Sequence, residues 1–581
     1  MEIQEQLRRK LAGEGPSIAL LCGLATLVTL HIVWLDRFRF GFLTEWDESG
    51  YISIALDNVD ALESGGPGSL ASTVLDQGVQ APLVPLSAVF TNVIFGTGVD
   101  SSLLVGPIFF TVLVLSTYAV GRQLTTPWWA VLAAFCVSSA PVVADFTRLF
   151  HFAVPAAALF TSALWALLRS EGLSRRSWAI ACGLLLGLMV LARSMTIAYL
   201  PGFGVAAALP LLLSRVERRN RAINLALLVG CGGALAALWY APNLYSVGDY
   251  LLNFGYGAES SAFGEQRSPL SPAYWTAELG GLIDDLYLPL SLALAVCLAA
   301  AAASSLRRRR SIRLSQETVR RWLTSKAGLT LIVVAAGYLA LTSSSNEGTA
   351  FALPWVPALV ALVVAATSRI RERTLRLGLA GLLATVSVLN ASMKSGLVPG
   401  VGDPVSASPP LLGTTPLLDG RGVIQGEVSA AGYPAGSPTE PMPDLHRRWL
   451  PFAERLATWS VAYAERRGRR PHLAYGFDDL LLSNTRIALG AQLALSQSID
   501  TLFLKPFPEG DSATSYRRQL EESRSNLLAT GERGPGGTGI HLTRSRVEKA
   551  ARSLGFEPVR VFTLPDGRSL IAWWRDVEPP A

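Results

Sequence analysis

The stretch Glu45-Trp46-Asp47-Glu48-Ser49-Gly50-Tyr51 follows directly on the first long apolar run of the chain, Ile18 to Leu35. An apolar run of this kind enters a bilayer, and charged and aromatic residues that follow it are held at the membrane surface. The headgroup of a lipid-linked molecule lies at the same depth. The adjacent carboxylates of Asp47 and Glu48 are therefore the first candidates for a functional site.

The composition indicates a polytopic membrane protein. Of 581 residues, 50% are hydrophobic and only 16% are charged, and the apolar residues form runs rather than amphipathic patterns. The net charge of +6 comes from short basic clusters between these runs, such as Arg307 to Arg313. Such clusters are typical of cytoplasmic membrane anchors and exclude a nucleic-acid-binding face. The five cysteines all lie in apolar runs, so no disulfide framework and no thiolate metal site is predicted.

The lengths of the apolar runs predict about eleven transmembrane helices, each of ~20 residues with allowance for tilt. The predicted spans are 18–35, 101–120, 128–143, 152–168, 178–191, 197–213, 222–240, 288–306, 327–341, 352–367 and 375–391. The first is expected to remain as an uncleaved anchor, because it ends in bulky residues rather than in a small-residue cleavage site.

Basic and non-basic connections alternate along the chain, which predicts the orientation. By the positive-inside rule the N-terminus is cytoplasmic, and an odd number of spans places the C-terminal tail outside the cell membrane. The predicted transmembrane domain is 1–395, with outer loops 36–98 and 241–287. A Gly-, Pro- and Ser-rich linker, 396–443, leads to an extracytoplasmic α/β domain, 444–581.

Local patterns predict regular elements outside the spans. Tyr51 to Leu56 begins an amphipathic helix, and Pro82-Leu83 opens a second helix at the outer interface. The tail alternates helical and strand patterns. Helices are predicted over 445–466, 478–495, 512–529 and 544–554, strands over 472–475 and 501–505, and a closing hairpin over 558–563 and 569–574.

The order of these features resembles the GT-C glycosyltransferases. A first span, an outer loop with Asp47-Glu48 and then Tyr51, and a helix opened by Pro82-Leu83 are similar to their protein-mannosyltransferase and Rgt-like branch, which includes the aminoarabinose transferases. Further motifs follow in the same order: Ala140-Pro141, Arg148, Pro155, Gly183 to Arg193, Pro201, and Ser343 to Pro357. The resemblance covers about Ile18 to Ala391 and rests on the order of short motifs.

The resemblance implies a hexosyl- or pentosyltransferase. Such an enzyme moves a sugar from a polyprenyl-phosphate donor to a hydroxyl of a glycan, lipid or protein acceptor, with inversion. This reaction needs a carboxylate that takes the acceptor proton. Asp47 is the candidate base, with Tyr51 one helical turn further on; Glu48 would orient the acceptor or a divalent cation. The alternative is that both carboxylates only cap the helix that starts near Ser49.

The leaving phosphate needs cations or hydrogen-bond donors. Arg148, Arg193 and Lys394 are the candidates because each is predicted at the outer end of a span; the alternative is that they only reach toward the interface. His151 and Glu347 are further candidates for substrate contact on the same side, although a lone histidine at a span end and an acidic loop residue both have structural explanations.

Two positions depart from the pattern of the family. Many relatives carry a basic residue before the Pro-Leu element, where this chain has Gln80-Ala81, and an acidic residue two positions before Pro155, where this chain has Ala153. The phosphate ligand therefore stays open, as do the metal requirement, the sugar and the acceptor.

Two other classes of function compete with an enzyme. A transporter or flippase of lipid-linked sugars would place charges and broken helices at mid-membrane, often in repeated halves. The predicted spans carry few such charges and no repeat is visible. A non-catalytic cell-envelope assembly protein is the third alternative.

Overall fold

The computed structural model describes residues 2–42, 44–213, 217–257, 260, 267–268, 270–308, 315–344, 348–398, 402–408, 414–477, 479–506, 510–535 and 542–579. For residues 2–13, 46 and 308 it describes the backbone alone.

The described residues form mostly helices. In chain order these are α1 (Glu2–Phe38), α2 (Trp46–Leu75), α3 (Leu83–Phe95), α4 (Val99–Leu103), α5 (Val105–Leu124), α6 (Pro127–Ser138), α7 (Pro141–Thr147), α8 (Ala153–Arg169), α9 (Arg176–Ala192), α10 (Leu200–Leu213), α11 (Arg218–Tyr256), α12 (Pro272–Arg308), α13 (Gln316–Leu323), α14 (Lys326–Thr342), α15 (Val356–Ser368), α16 (Arg373–Lys394), α17 (Val423–Ala430), α18 (Trp449–Glu465), α19 (Asn484–Leu495), α20 (Ala513–Glu522) and α21 (Arg544–Ser553). Single 3₁₀ segments cover Ser194–Tyr199 and Asp444–Arg448.

The strands lie in the last third of the chain. They are β1 (Val405–Ala407), β2 (Thr415–Leu418), β3 (His472–Tyr475), β4 (Asp500–Phe503), β5 (Leu527–Gly531), β6 (Glu557–Thr563) and β7 (Ser569–Trp574). β1 and β2 form an antiparallel pair. The other described strands form one sheet in the order β4-β3-β5-β7-β6, in which β3 runs parallel to β4 and β5, and β7 runs antiparallel to β5 and β6.

Two compact units divide the chain. The first contains 1–34, 75–84 and 106–420, and the second contains 35–74, 85–105 and 421–581. This division differs from the predicted domains, because the loop that carries Asp47 belongs to the same unit as the C-terminal sheet. The described part of the predicted linker also contains β1, β2 and α17.

The helices of the first unit explain the apolar runs. Among the described residues, six helices are long and apolar enough to cross a membrane, or eight if the pairs α6–α7 and α13–α14, bent by 62° and 72°, each count as one span. The shorter apolar helices α8, α9 and α15 cover three further predicted spans. The helical membrane fold with a C-terminal sheet domain is thus confirmed, and the number eleven stays a prediction.

The second unit contains the sheet and its own core. Buried apolar residues from β3, β5, β7, α20 and α21 form this core, including Leu528, Tyr516 and Trp573. The prediction of one helix over 512–529 is wrong. α20 ends at Glu522, Arg524 takes a left-handed conformation with φ of 50°, and the following residues form β5 between β3 and β7. Buried strand pairing overrides the local helical preference here.

Glycines allow a close contact between α9 and α11 in the first unit. A Cβ built on Gly232 of α11 would lie 2.5 Å from the carbonyl oxygen of Gly183 on α9, and one built on Gly187 would lie 2.8 Å from that of Gly232. Small residues of this kind let helix backbones approach each other in membranes, where packing rather than the hydrophobic effect drives association.

We therefore predict that Gly232→Ala lowers the thermal stability of the purified protein, by ~1–3 kcal/mol or more because the added methyl group overlaps the α9 backbone. Gly233→Ala is the matched control, since a Cβ there meets no atom within 4 Å. It should be neutral or stabilising by ~0.5–1 kcal/mol through helix propensity. Equal melting temperatures for the two variants would contradict the backbone contact.

Candidate functional site

The first turn of α2 carries the acidic motif in the second unit. Glu45 and Glu48 cap this turn reciprocally: the Glu48 amide donates to Glu45 Oε2 at 3.0 Å, and the Glu45 amide donates to Glu48 Oε2 at 2.9 Å. This arrangement has the logic of a capping box, with carboxylates near the positive end of the helix dipole. The capping alternative is therefore realised by Glu48 together with Glu45.

Glu48 also forms a buried ion pair. Arg39 Nη2 lies 2.5 Å from Glu48 Oε2, and the two side chains are only 3% and 0% exposed. A buried carboxylate needs such a partner because burial removes its hydration. Glu48 thus stabilises the start of α2.

Asp47, the neighbouring carboxylate, has the opposite environment. Its side chain is exposed at the surface of the second unit, and Tyr51 follows one turn later in α2, partly buried. The two adjacent acids are therefore distinct: Glu48 is buried against an arginine, and Asp47 is exposed.

The C-terminal part of the chain adds Glu427 from α17 and Arg486 from α19 to the surroundings of the motif. The side chain of Arg486 is 2% exposed. Its Nε donates to the carbonyl of Thr44 at 2.9 Å, and its guanidinium also donates to the carbonyl of Leu480. Arg486 therefore fixes the backbone two residues before α2 begins.

Glu427 experiences the charges of the acidic motif. Burial raises the pKa of Glu427 to about 7, Arg486 opposes this rise, and Asp47 and Glu48 add to it. Burial, and then repulsion from Asp47 and Glu427, likewise raise the pKa of Glu45 well above its usual range. Buried carboxylates with raised pKa values are found at many proton-transfer sites.

Sequence patterns missed these contributors for identifiable reasons. Glu427 lies in the segment that composition predicts as a linker. Arg486 gave a weak signal, as a basic residue directly before the apolar run Ile487-Ala488-Leu489. Arg39 lies just beyond the first span, where a cation has an ordinary anchoring explanation.

A second cluster, in the first unit, contains Arg148. Its Nε donates to His31 Nδ1 at 3.2 Å, and its guanidinium carbon lies 4.2 Å from the centre of the Trp34 ring. The side chain is 3% exposed, and Nη1 is buried without a hydrogen-bond partner among the described residues. A buried guanidinium nitrogen of this kind has the capacity for one more acceptor.

Lys394 lies near Arg148 through their common neighbour Asp145. Lys394 Nζ lies 2.7 and 2.9 Å from the two Asp145 oxygens, and the lysine is 2% exposed. Asp145 also interacts electrostatically with Arg148. Lys394 is thus neutralised by Asp145, and Arg148 is the better candidate for an anionic ligand.

Arg193 and His151 both lie near the start of α8. The Arg193 guanidinium lies 4.4 Å from the Phe152 ring centre and 4.2 Å from that of Phe351. His151 Nδ1 accepts from the Ala153 amide at 3.1 Å, which is the role of a helix cap. The structural explanation of His151 gains support from this bond.

An apolar cavity of about 250 Å³ adjoins Arg193. Its walls include Tyr199, Leu251, Leu341 and Phe351, and among the described residues that line it Arg193 is the charged one. Glu347, the remaining candidate from the sequence, lies outside the described residues. Within the described part of the chain, no three His, Cys, Asp or Glu side chains form a group that could hold a metal ion.

Known proteins share this fold. Residues 79–245 match the family of dolichyl-phosphate-mannose-protein mannosyltransferases. The archaeal oligosaccharyltransferase AglB from Archaeoglobus fulgidus, solved with an inhibitory peptide and a dolichol-phosphate, is similar over 90% of this chain and 70% of its own, with a TM-score of 0.56 and 11% identity. ArnT from Cupriavidus metallidurans, solved with undecaprenyl phosphate, is similar over 98% and 100%, with a TM-score of 0.52 and 13% identity. No curated protein matches the chain.

The helical membrane unit and the C-terminal sheet domain together have the GT-C fold of AglB and ArnT. Within that fold, residues 79–245 are similar to the mannosyltransferase family.

The Arg39–Glu48 pair yields a test of the acidic site. We predict that Arg39→Leu destabilises the protein by ~3–5 kcal/mol, because it leaves Glu48 buried without its counter-charge. Thermal unfolding of the purified protein measures the effect. The double variant Arg39→Leu/Glu48→Gln should recover much of the loss, since glutamine keeps the capping acceptor without the charge. A double variant as unstable as the single one would show that the pair is not coupled.

Proposed function

We propose that the protein transfers a sugar from a polyprenyl-phosphate donor to an acceptor hydroxyl, with inversion, on the extracytoplasmic face of the membrane, and that Asp47 is the general base. The observation that carries the proposal is the contrast between exposed Asp47 and buried, paired Glu48 at the start of α2 in a GT-C fold.

The surroundings of Asp47 suit proton transfer. A general base must be accessible to the acceptor hydroxyl. Asp47 is exposed, whereas Glu48 is buried against Arg39. In this proposal Glu48 and Arg39 are positioning residues.

Arg148 is the proposed ligand of the donor phosphate. Its buried Nη1 would donate to a phosphate oxygen, and a charge-assisted bond of this kind stabilises the leaving group in the transition state. The cavity beside Arg193 is the proposed site for part of the isoprenoid chain, since its walls are mostly apolar. The carriers bound in AglB and ArnT, dolichol-phosphate and undecaprenyl phosphate, belong to the same chemical class.

The proposal includes an orientation. The N-terminus is cytoplasmic and the C-terminal domain is extracytoplasmic, as the alternation of basic loops predicts. The acceptor would be a glycan, lipid or protein. The C-terminal domain would help to build the acidic site through Arg486, and the segment before it through Glu427.

We predict that Asp47→Asn lowers the initial rate of transfer by ~10²-fold or more, because the amide cannot accept the proton. The assay uses purified protein in liposomes with a labelled polyprenyl-phosphate sugar, and it follows both transfer and crossing of the label. Folding should be preserved, because Asp47 forms no part of the cap between Glu45 and Glu48.

Glu48→Gln is the matched control for this experiment. It should reduce transfer less at equal amounts of folded protein, since an amide keeps the capping acceptor. Loss of transfer in Glu48→Gln with a normal Asp47→Asn would exchange the two roles. Full activity in both variants would overturn the mechanism, and label that crosses the membrane without transfer would indicate a transporter.

We predict that Arg148→Ala impairs use of the donor more than use of the acceptor. Loss of a charge-assisted phosphate contact should cost ~1.5–3 kcal/mol in kcat/KM for the donor. Arg122→Ala, which removes an exposed arginine near the end of α5, is the control and should leave donor kinetics unchanged. Arg148→Lys should retain part of the activity. If Arg148→Ala kept wild-type donor kinetics, the prediction would be wrong and Arg148 would have only a structural role.

A further inference from the structure

A basic cavity of about 580 Å³ lies in the first unit among the ends of several membrane helices. The C-terminal ends of α8 and α10 and the N-terminal ends of α11 and α14 surround it, together with the short helix α13. These ends belong to the connections whose basic residues predict the cytoplasmic side. The proposed transfer reaction gives this cavity no role.

Four cations line the cavity: Arg221, Arg320, Arg321 and Lys326. Two acids, Glu171 and Glu317, also line it, so the lining carries an excess of two positive charges. Glu317 forms an ion pair with Arg321 along α13. The excess charge predicts an anionic ligand, and the volume is that of a site for a small molecule or a lipid headgroup.

Arg221 provides the second observation. Its Nη1 donates to the carbonyl of Pro210 at 3.1 Å, which holds the guanidinium against the end of α10. Its Nε is buried and has no hydrogen-bond partner among the described residues. Interface anchoring by itself would leave this nitrogen in water, whereas an anion in the cavity would supply the missing acceptor.

The first turn of α14 adds a favourable dipole. Ser325 caps this helix by accepting from the Gly328 amide at 3.1 Å, and Lys326 and Leu329 of the same turn line the cavity. The N-terminal end of a helix of 17 residues attracts negative charge. Lys326 Nζ also donates to Gln123 Oε1 at 2.7 Å, which keeps the lysine at this end of α14.

Part of the lining of the cavity is apolar. Leu168, Leu213 and Leu329 contribute to the lining. On α13 the side chains of Val319 and Trp322 are 43% and 47% exposed, beside Arg320 and Arg321 on the same short helix. α13 is bent by 72° from α14, as expected of an amphipathic helix that lies in the plane of the interface. A free inorganic anion would gain nothing from contact with these apolar side chains, whereas the acyl chains of a lipid would pack against them.

We infer that this cavity binds the phosphodiester headgroup of an anionic phospholipid, with Arg221, Arg320, Arg321 and Lys326 as its ligands and the acyl chains along α13.

Binding of phosphatidylglycerol to the full-length purified protein tests the inference. Native mass spectrometry measures its affinity against phosphatidylcholine with identical acyl chains. Phosphatidylglycerol should bind more tightly. The variant Arg320→Gln/Arg321→Gln should weaken it by about 25-fold, at about fivefold for each basic residue near the membrane surface. Arg371→Gln/Arg373→Gln removes the same charge from exposed positions just before α16 and at its first residue, and it should have no effect.

Arg221→Gln serves as a second variant, should the double variant fail to fold, and is expected to weaken binding about fivefold. Three results would overturn the inference. They are equal affinity for the two lipids, equal loss in the Arg371→Gln/Arg373→Gln control, and displacement of phosphatidylglycerol from the wild-type protein by inorganic phosphate. The last would show a site for free anions rather than for lipid.

Discussion

The buried ion pair between Arg39 and Glu48 is the interaction on which the acidic site depends. Two charges removed from water are stable only as a pair, so the position of Glu48 is fixed by the chain that leaves the first apolar run. The reciprocal cap with Glu45 then fixes the first turn of α2. Asp47 lies within that turn, and its side chain is exposed.

A second buried arginine, Arg486, stabilises the same region from the C-terminal part of the second unit. Arg486 is buried far along the chain, yet its donors are used on the carbonyls of Thr44 and Leu480. A buried guanidinium with fixed donors orders the backbone it binds, and here that backbone leads directly into Glu45. Glu427 completes the arrangement from α17. Acids and arginines from both ends of the chain therefore determine the electrostatics around one short turn.

The sequence could predict the apolar helices, because each long run has a single stable outcome in a membrane, where every backbone group needs an internal partner. It also predicted β3 over 472–475 and the hairpin of β6 and β7, where alternation and an Asp566-Gly567 turn carry the information. It failed at β5, whose residues Leu527 and Leu528 continue a helical pattern. Only the neighbouring strands β3 and β7 decide their conformation, and these are distant in sequence.

The sequence likewise predicted some residues of the candidate site and missed others. Asp47 and Glu48 were visible because acids directly after a membrane span are unusual, but their different environments were not, since a sequence does not show which of two neighbours is buried. Glu427 was hidden for a deeper reason. Its segment has the Gly-, Pro- and Ser-rich composition of a linker, and composition reports chain stiffness rather than contacts. The second unit combines 35–74 and 85–105 with 421–581, so the outer loop and the C-terminal domain fold as one body. The C-terminal domain is thus part of the unit that contains the acidic motif, and the environment of Asp47 depends on the fold of that domain.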